Sequence, residues 1–134
     1  MLFRSREWTE MCPGVHRKVS DRTPQEVIRD QSWTGEDAIV LVSRNFMIDR
    51  DALEEAVKAK GIGYIGMIGS RKKVLQVFDE LKAKGVKAEV LAKVYAPIGL
   101  DIGSDSPAEI AVSVLAEILQ VLRKAKGEIG RAHV

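Results

Sequence analysis

Residues 64–73, Tyr-Ile-Gly-Met-Ile-Gly-Ser-Arg-Lys-Lys, constrain this chain more than any other segment. An apolar, β-prone run stops at Gly69, and a helical pattern begins at once with Ser70 and three cations. A strand that turns directly into a helix is the building unit of an α/β sheet. The cations stand against the positive end of the helix macrodipole, where each costs roughly 0.3–1 kcal/mol when exposed. Two readings follow. The chain tolerates a small penalty, or it offers cations and free backbone N–H groups to an anion.

The rest of the chain repeats the alternation. Leu2 and Phe3 are placed to end a strand, Cys12-Pro13-Gly14 reads as a turn, and residues 15–19 alternate as a short strand does. Thr23-Pro24-Gln25-Glu26 has the form of a capping box and opens a helix to about Asp30. Residues 38–42 are continuously apolar, which suits a strand buried on both faces. Asp49 is placed to cap the next helix, with Leu53, Ala56 and Val57 inward and Gly61 as its stop. Residues 62–68 form the next strand, and a helix follows over 71–84. Its apolar stripe is Val74, Leu75, Phe78 and Leu81, and Gly85 ends it. Residues 88–94 read as a short helix. Ser106-Pro107-Ala108-Glu109 is a second capping box, opening the longest helix to about Ala125. Along it Ile110, Ala111, Val114, Leu115, Ile118, Leu119 and Leu122 recur at helical spacing. The expected architecture is an α/β sandwich around a mostly parallel sheet.

At 134 residues the chain suits a single domain over 1–134, with residues 127–134 as a frayed tail. Its 21 basic and 19 acidic residues leave a net charge of +2, which gives no general pull toward nucleic acid or membrane. One cysteine, Cys12, permits no intramolecular disulfide and fits a reducing cytoplasm. No apolar run approaches the ~18 residues of a membrane span.

Three segments can carry chemistry. The first is the turn with Gly66, Gly69, Ser70, Arg71 and Lys72, where ligands of open α/β sheets bind. Here Ser70 caps the helix, Gly69 admits a ligand to the backbone, and Arg71 can fork onto a phosphate; the alternative is a tight turn with solvated cations. The second is the loop 96–103, with Pro97, Gly99, Asp101 and Gly103. It is unusually apolar for a loop and so calls for packing, and Asp101 between two aliphatics is costly to bury without hydrogen-bond donors. Asp101 either faces a ligand or shapes the loop by accepting nearby amides. The third is Ser43-Arg44-Asn45, directly after the strand at 38–42; it is either a neighbour of the first site or a solvated loop. With His16, His133 and Cys12 alone, a protein-only metal site is poorly supplied. No nucleophile elbow, phosphate-binding P-loop or Gly-x-Gly-x-x-Gly fingerprint occurs.

Residues 64–71 (Tyr-Ile-Gly-Met-Ile-Gly-Ser-Arg), 97–103 (Pro-Ile-Gly-Leu-Asp-Ile-Gly) and 107–118 (Pro-Ala-Glu-Ile-Ala-Val-Ser-Val-Leu-Ala-Glu-Ile) resemble, in the same order, the Rossmann-like domain of the XdhC/CoxI family, the xanthine dehydrogenase accessory factors. The resemblance covers roughly residues 4–124. It implies a Rossmann-like three-layer α/β sandwich, an accessory rather than enzymatic role in maturing molybdenum hydroxylases, and binding or delivery of the molybdenum cofactor (molybdopterin). It implies two partners, a molybdenum hydroxylase apoenzyme and a cysteine desulfurase. The carry-over puts ligand contacts on Gly66, Gly69, Ser70 and Arg71, with Asp101 and its glycines beside them. Many members have Thr-His-Asp or Thr-Arg-Gly-His where this chain has Ser43-Arg44-Asn45-Phe46. The family's domain also opens with a strand, a glycine-rich turn and a helix that have no counterpart here. That gap implies an uncovered sheet edge and therefore a homodimer. Two other readings are an NAD(P)- or nucleotide-binding module and a ligand-free oligomerisation or partner-docking domain.

Overall fold

The computed structural model describes the strand Leu2–Arg4 and residues 22–129. The strand expected at 15–19, the turn at Cys12 and the tail beyond residue 129 lie outside the described residues. The chain divides into two compact units, Met1–Ile98 and Gly99–Val134.

The first unit runs β1 (Leu2–Arg4), α1 (Pro24–Arg29), β2 (Asp37–Leu41), α2 (Phe46–Ala56), β3 (Tyr64–Met67), α3 (Arg71–Ala83) and α4 (Ala88–Leu91). The sheet order is β1-β2-β3. Strands β2 and β3 are parallel, with Leu41 level with Met67, and a parallel bridge joins Gly66 to Tyr95 on the far side of β3. This is the expected Rossmann-like α/β arrangement, with one departure: β1 lies antiparallel to β2, pairing Leu2 with Ile39. The edge of β2 turned away from β3 is therefore paired.

Local chemistry sets most boundaries. Thr23 and Glu26 form the reciprocal capping box, with Thr23 N–H donating to the Glu26 carboxylate at 2.9 Å. All five residues of β2 are buried, as a strand covered on both faces requires. Helix α2 corrects the sequence reading at both ends. Its N-cap is Asn45, whose Oδ1 accepts from Met47 N–H at 2.9 Å, whereas Asp49 sits inside the first turn. It stops at Ala56 with Val57 as C-cap, so Gly61, at φ +77°, serves the following loop. Helix α3 turns Val74, Val77 and Leu81 inward, and Leu75 is 62% exposed instead of lying in the apolar stripe. These inward residues pack with Leu53, Ile39 and Met67 in the core of the unit.

In the second unit, α5 (Pro107–Leu122) opens on the capping box of Ser106 and Glu109. It ends before Ala125 because Lys124 adopts φ +52°. The Ala125 N–H then closes onto Gln120 O at 2.9 Å, and the Lys124 N–H onto Val121 O at 3.2 Å, the bond pattern of a Schellman stop.

Candidate functional site

Because β2 and β3 are parallel neighbours, their carboxyl ends lie side by side. The ladder continues past both, with Ile68 N–H donating to Leu41 O at 3.0 Å. One residue further in the same register come Ser43 and Gly69. Helix α2 starts at Phe46 and α3 at Arg71, so both N-termini open at this edge. Ser43, Arg44, Gly69, Ser70, Arg71 and Lys72 are brought together here.

Each side chain has a local reason for its place. Ser70 Oγ caps α3 by accepting Lys73 N–H at 3.3 Å. Ser43 Oγ accepts Asn45 N–H at 3.1 Å and donates to Asn45 O at 2.7 Å, folding the turn into α2. The buried Asp49 carboxylate accepts Ser43 N–H at 3.3 Å. Ser43, Arg44, Ser70, Arg71 and Lys72 are all exposed. No acidic residue stands in the first turn of α3. Among the described residues, Arg44, Arg71 and Lys72 enter no ion pair. The result is an open cationic rim on two helix N-termini, able to hold an anionic group but not to enclose a large one.

The glycine of β3 and the glycine of the turn differ. A Cβ on Gly66 would stand 2.5 Å from Ile98 Cδ1 and 2.6 Å from the Tyr64 hydroxyl, so this position is filled by the protein's own side chains. That close packing is enough by itself to require glycine at 66. At Gly69 the nearest atom would be an ordinary 3.6 Å away, but φ is +153°, a value side chains rarely adopt.

The loop 96–103 is divided between the units. Ile98 N–H donates to Met67 O at 3.1 Å, which sets the exposed Pro97 beside the end of β3; its peptide with Ala96 is cis. Gly99, Asp101 and Gly103 belong to the second unit. Gly99 donates to Glu117 Oε1 at 3.1 Å, and a Cβ there would meet Ser113 Oγ at 2.5 Å, so α5 explains this glycine. Asp101 is exposed. Gly103, at φ +71°, faces open space.

The sequence reading missed the apolar surround of this edge. Phe46, Met47 and Ile48, the first three residues of α2, are 37–49% exposed, and Val42 is 53% exposed. Three apolar residues straight after a cap were the available signal. Two cavities of the first unit lie instead around the amino ends of the parallel strands. One of about 620 Å³ is lined by Gly61, Gly63, Tyr64, Val90 and Tyr95 among others, with the Tyr64 and Tyr95 rings stacked 4.8 Å apart. The second, of about 360 Å³, lies between the ends of α1 and α2. No residue assigned to the site from the sequence lines either.

Among the described residues no group of His, Cys, Asp or Glu could hold a metal ion, and no helix is long and apolar enough to cross a membrane. Relatives locate the chain more closely. It is 44% identical over 91 residues to the uncharacterised protein YqeB of Escherichia coli (strain K12), covering 68% of this chain and 16% of that protein. It is 29% identical over 101 residues to a protein of Bacillus subtilis (strain 168) described as a probable xanthine dehydrogenase subunit, covering 75% of this chain and 28% of that protein. The crystal structure of a xanthine dehydrogenase from Bacillus halodurans superposes with a TM-score of 0.61 at 26% identity, covering 78% of this chain and 29% of that one. The chain thus spans less than a third of each of these proteins. The profile of the XdhC Rossmann domain matches residues 2–118, and the chain belongs to that family.

Proposed function

We propose that this chain is an accessory module in the maturation of molybdenum hydroxylases of the xanthine dehydrogenase type, and that its carboxyl edge receives the phosphate of the molybdenum cofactor. One observation carries the reading: two helix N-termini open side by side with Arg44, Arg71 and Lys72 exposed and unpaired among the described residues. The cofactor is a pterin bearing a phosphate. The residues present fit the phosphate, through Ser70, the first-turn amides of α3 and the fork of Arg71. The exposed Phe46 and Val42 offer apolar surface to a ring beside it. Bound there, the cofactor would be cargo for an apoenzyme partner, and a cysteine desulfurase would be the source of its sulfur. No side chain of the rim is assigned a chemical step; the rim binds and orients.

Calorimetry with molybdopterin, adenosine monophosphate and NAD tests this reading. The expected result is binding of the pterin, weakened about 10- to 100-fold by Arg71→Ala, the range of one charge-assisted hydrogen-bonded pair. Equal affinity in Arg71→Ala, or a response only to the nucleotides, overturns it.

A further inference from the structure

The cavity of about 620 Å³ at the amino ends of the parallel strands has no part in the carboxyl rim. It lies within the first unit, among the end of α2, the start of β3 and the turn from α4 to Tyr95. Its volume suits a small organic molecule. Three features of its wall decide the chemistry of an occupant.

The first is an interrupted sheet edge. On the side of β3 away from β2, Tyr95 N–H donates to Ile65 O at 2.9 Å and Met67 N–H donates to Tyr95 O at 3.0 Å. Strand alternation turns Ile65 N–H to that same side, where the ladder position that would accept it is Lys93 O. The chain is not extended there: Val94 N–H turns back onto Leu91 O at 3.0 Å, closing the end of α4. Among the described residues Ile65 N–H has no acceptor, and Ile65 lines the cavity. A half-buried amide without an acceptor is costly, so an oxygen placed beside it is favoured. An added peptide strand needs a run of open edge groups, whereas one free N–H suits a small molecule.

The second feature is aromatic. Tyr95 is exposed, and its ring stacks on the buried Tyr64 with the planes 12° apart. The pair sets a fixed ring in the wall, and Val57, Ile62 and Val90 continue the apolar surface. The third is charge. Among the described residues, Lys93 is the only charged group lining the cavity, and it enters no ion pair. No carboxylate is present to repel an anion or to occupy the lysine.

We propose that this cavity binds a planar aromatic anion, with its ring against Tyr95 and its acidic oxygens shared between Lys93 Nζ and Ile65 N–H. The site is separate from the carboxyl rim and stands whether or not the rim holds a phosphate.

The test is titration of the isotope-labelled full chain with 2-naphthoate, followed by NMR and calorimetry. Neutral 2-naphthamide and cationic 2-naphthylmethylammonium serve as comparison ligands. The expected result is saturable binding of naphthoate, weaker binding of the amide and none of the ammonium. The Ile65 amide proton should move downfield as it gains an acceptor. Lys93→Gln, at an exposed position, should weaken naphthoate about fivefold and leave the amide nearly unchanged. Tyr95→Ala should weaken both about tenfold, and Tyr95→Leu, which keeps apolar bulk against Tyr64, gives the same reading if the alanine variant does not fold. Three results overturn the proposal: no binding of naphthoate at millimolar concentration, binding that leaves the Ile65 amide unmoved, or equal affinity in Lys93→Gln. A loss in Arg71→Ala in place of Lys93→Gln would assign naphthoate to the rim and overturn it as well.

Discussion

Gly66, within β3, and Gly69, in the turn after it, stand three residues apart, yet different forces hold them. At Gly66 the conformation is ordinary and the space is missing, since the Tyr64 ring and Ile98 occupy the place of a Cβ. At Gly69 the space is present and the conformation is unusual, with φ +153°. Gly66→Ala therefore overpacks and should destabilise the protein by about 1–3 kcal/mol. Gly69→Ala should cost about 1–3 kcal/mol through backbone strain alone. Denaturant unfolding measures both losses. The double variant Gly66→Ala/Ile98→Ala separates them: removing Ile98 should reduce the added cost of the alanine at 66, and removing Val74 should do nothing comparable for the alanine at 69. A Gly66→Ala protein as stable as the parent would mean that Tyr64 and Ile98 give way freely.

Among elements, α2 is tied on both sides by ion pairs. Arg29 of α1 reaches Glu55 at 3.3 Å, and Arg50 reaches Glu80 of α3 at 2.9 Å. The Arg50 guanidinium, followed by Gln76, holds the Glu80 carboxyl below its ordinary value of 4.5, and Arg29 does the same for Glu55. A carboxyl lowered by folding stabilises the native state above its unfolded value and loses that contribution as pH falls through its folded value. The melting temperature should therefore decline as pH drops below about 4.5, and Glu80→Gln should make the decline shallower. Parallel acid titrations of the two proteins check this; identical slopes would show that the Arg50 pair does not link stability to pH. Such pairs were not legible in the sequence, because 30 residues separate Arg50 from Glu80. The caps of α1 and α5 were legible, because a capping box needs only residues three apart. Helix α2 was misread because Asp49 looks like a cap by type, while Asn45 precedes an apolar triplet that hides the first turn. In α3 the stripe residues Val74 and Leu81 were right; Leu75 lies at the margin of that stripe, and only the packed sheet shows that Val77 is the buried neighbour. The site divides the same way. A glycine-terminated strand followed by Ser70 and Arg71 announces itself locally. That Ser43 lies level with Gly69 depends on strand order, and that Asp101 is exposed depends on the course of a loop.

At the scale of the molecule, α2 returns the chain from β2 to its parallel neighbour β3, while α5 leaves Val112 and Leu119 exposed on one apolar face. An apolar face of this kind ties stability to concentration if two copies meet on it, because association favours the folded state by mass action. The melting temperature of the parent chain should rise as its concentration is raised, by a few degrees per tenfold for a chain of this length. Val112→Glu should remove that dependence without lowering the limiting value at high dilution, since position 112 is exposed in the single chain. Scanning calorimetry over a concentration series reads both quantities. A melting temperature flat in concentration would leave this face without a second copy. A limiting value that falls in the variant would instead place Val112 in the internal packing of the chain, and the exposed face of α5 would have to be drawn anew.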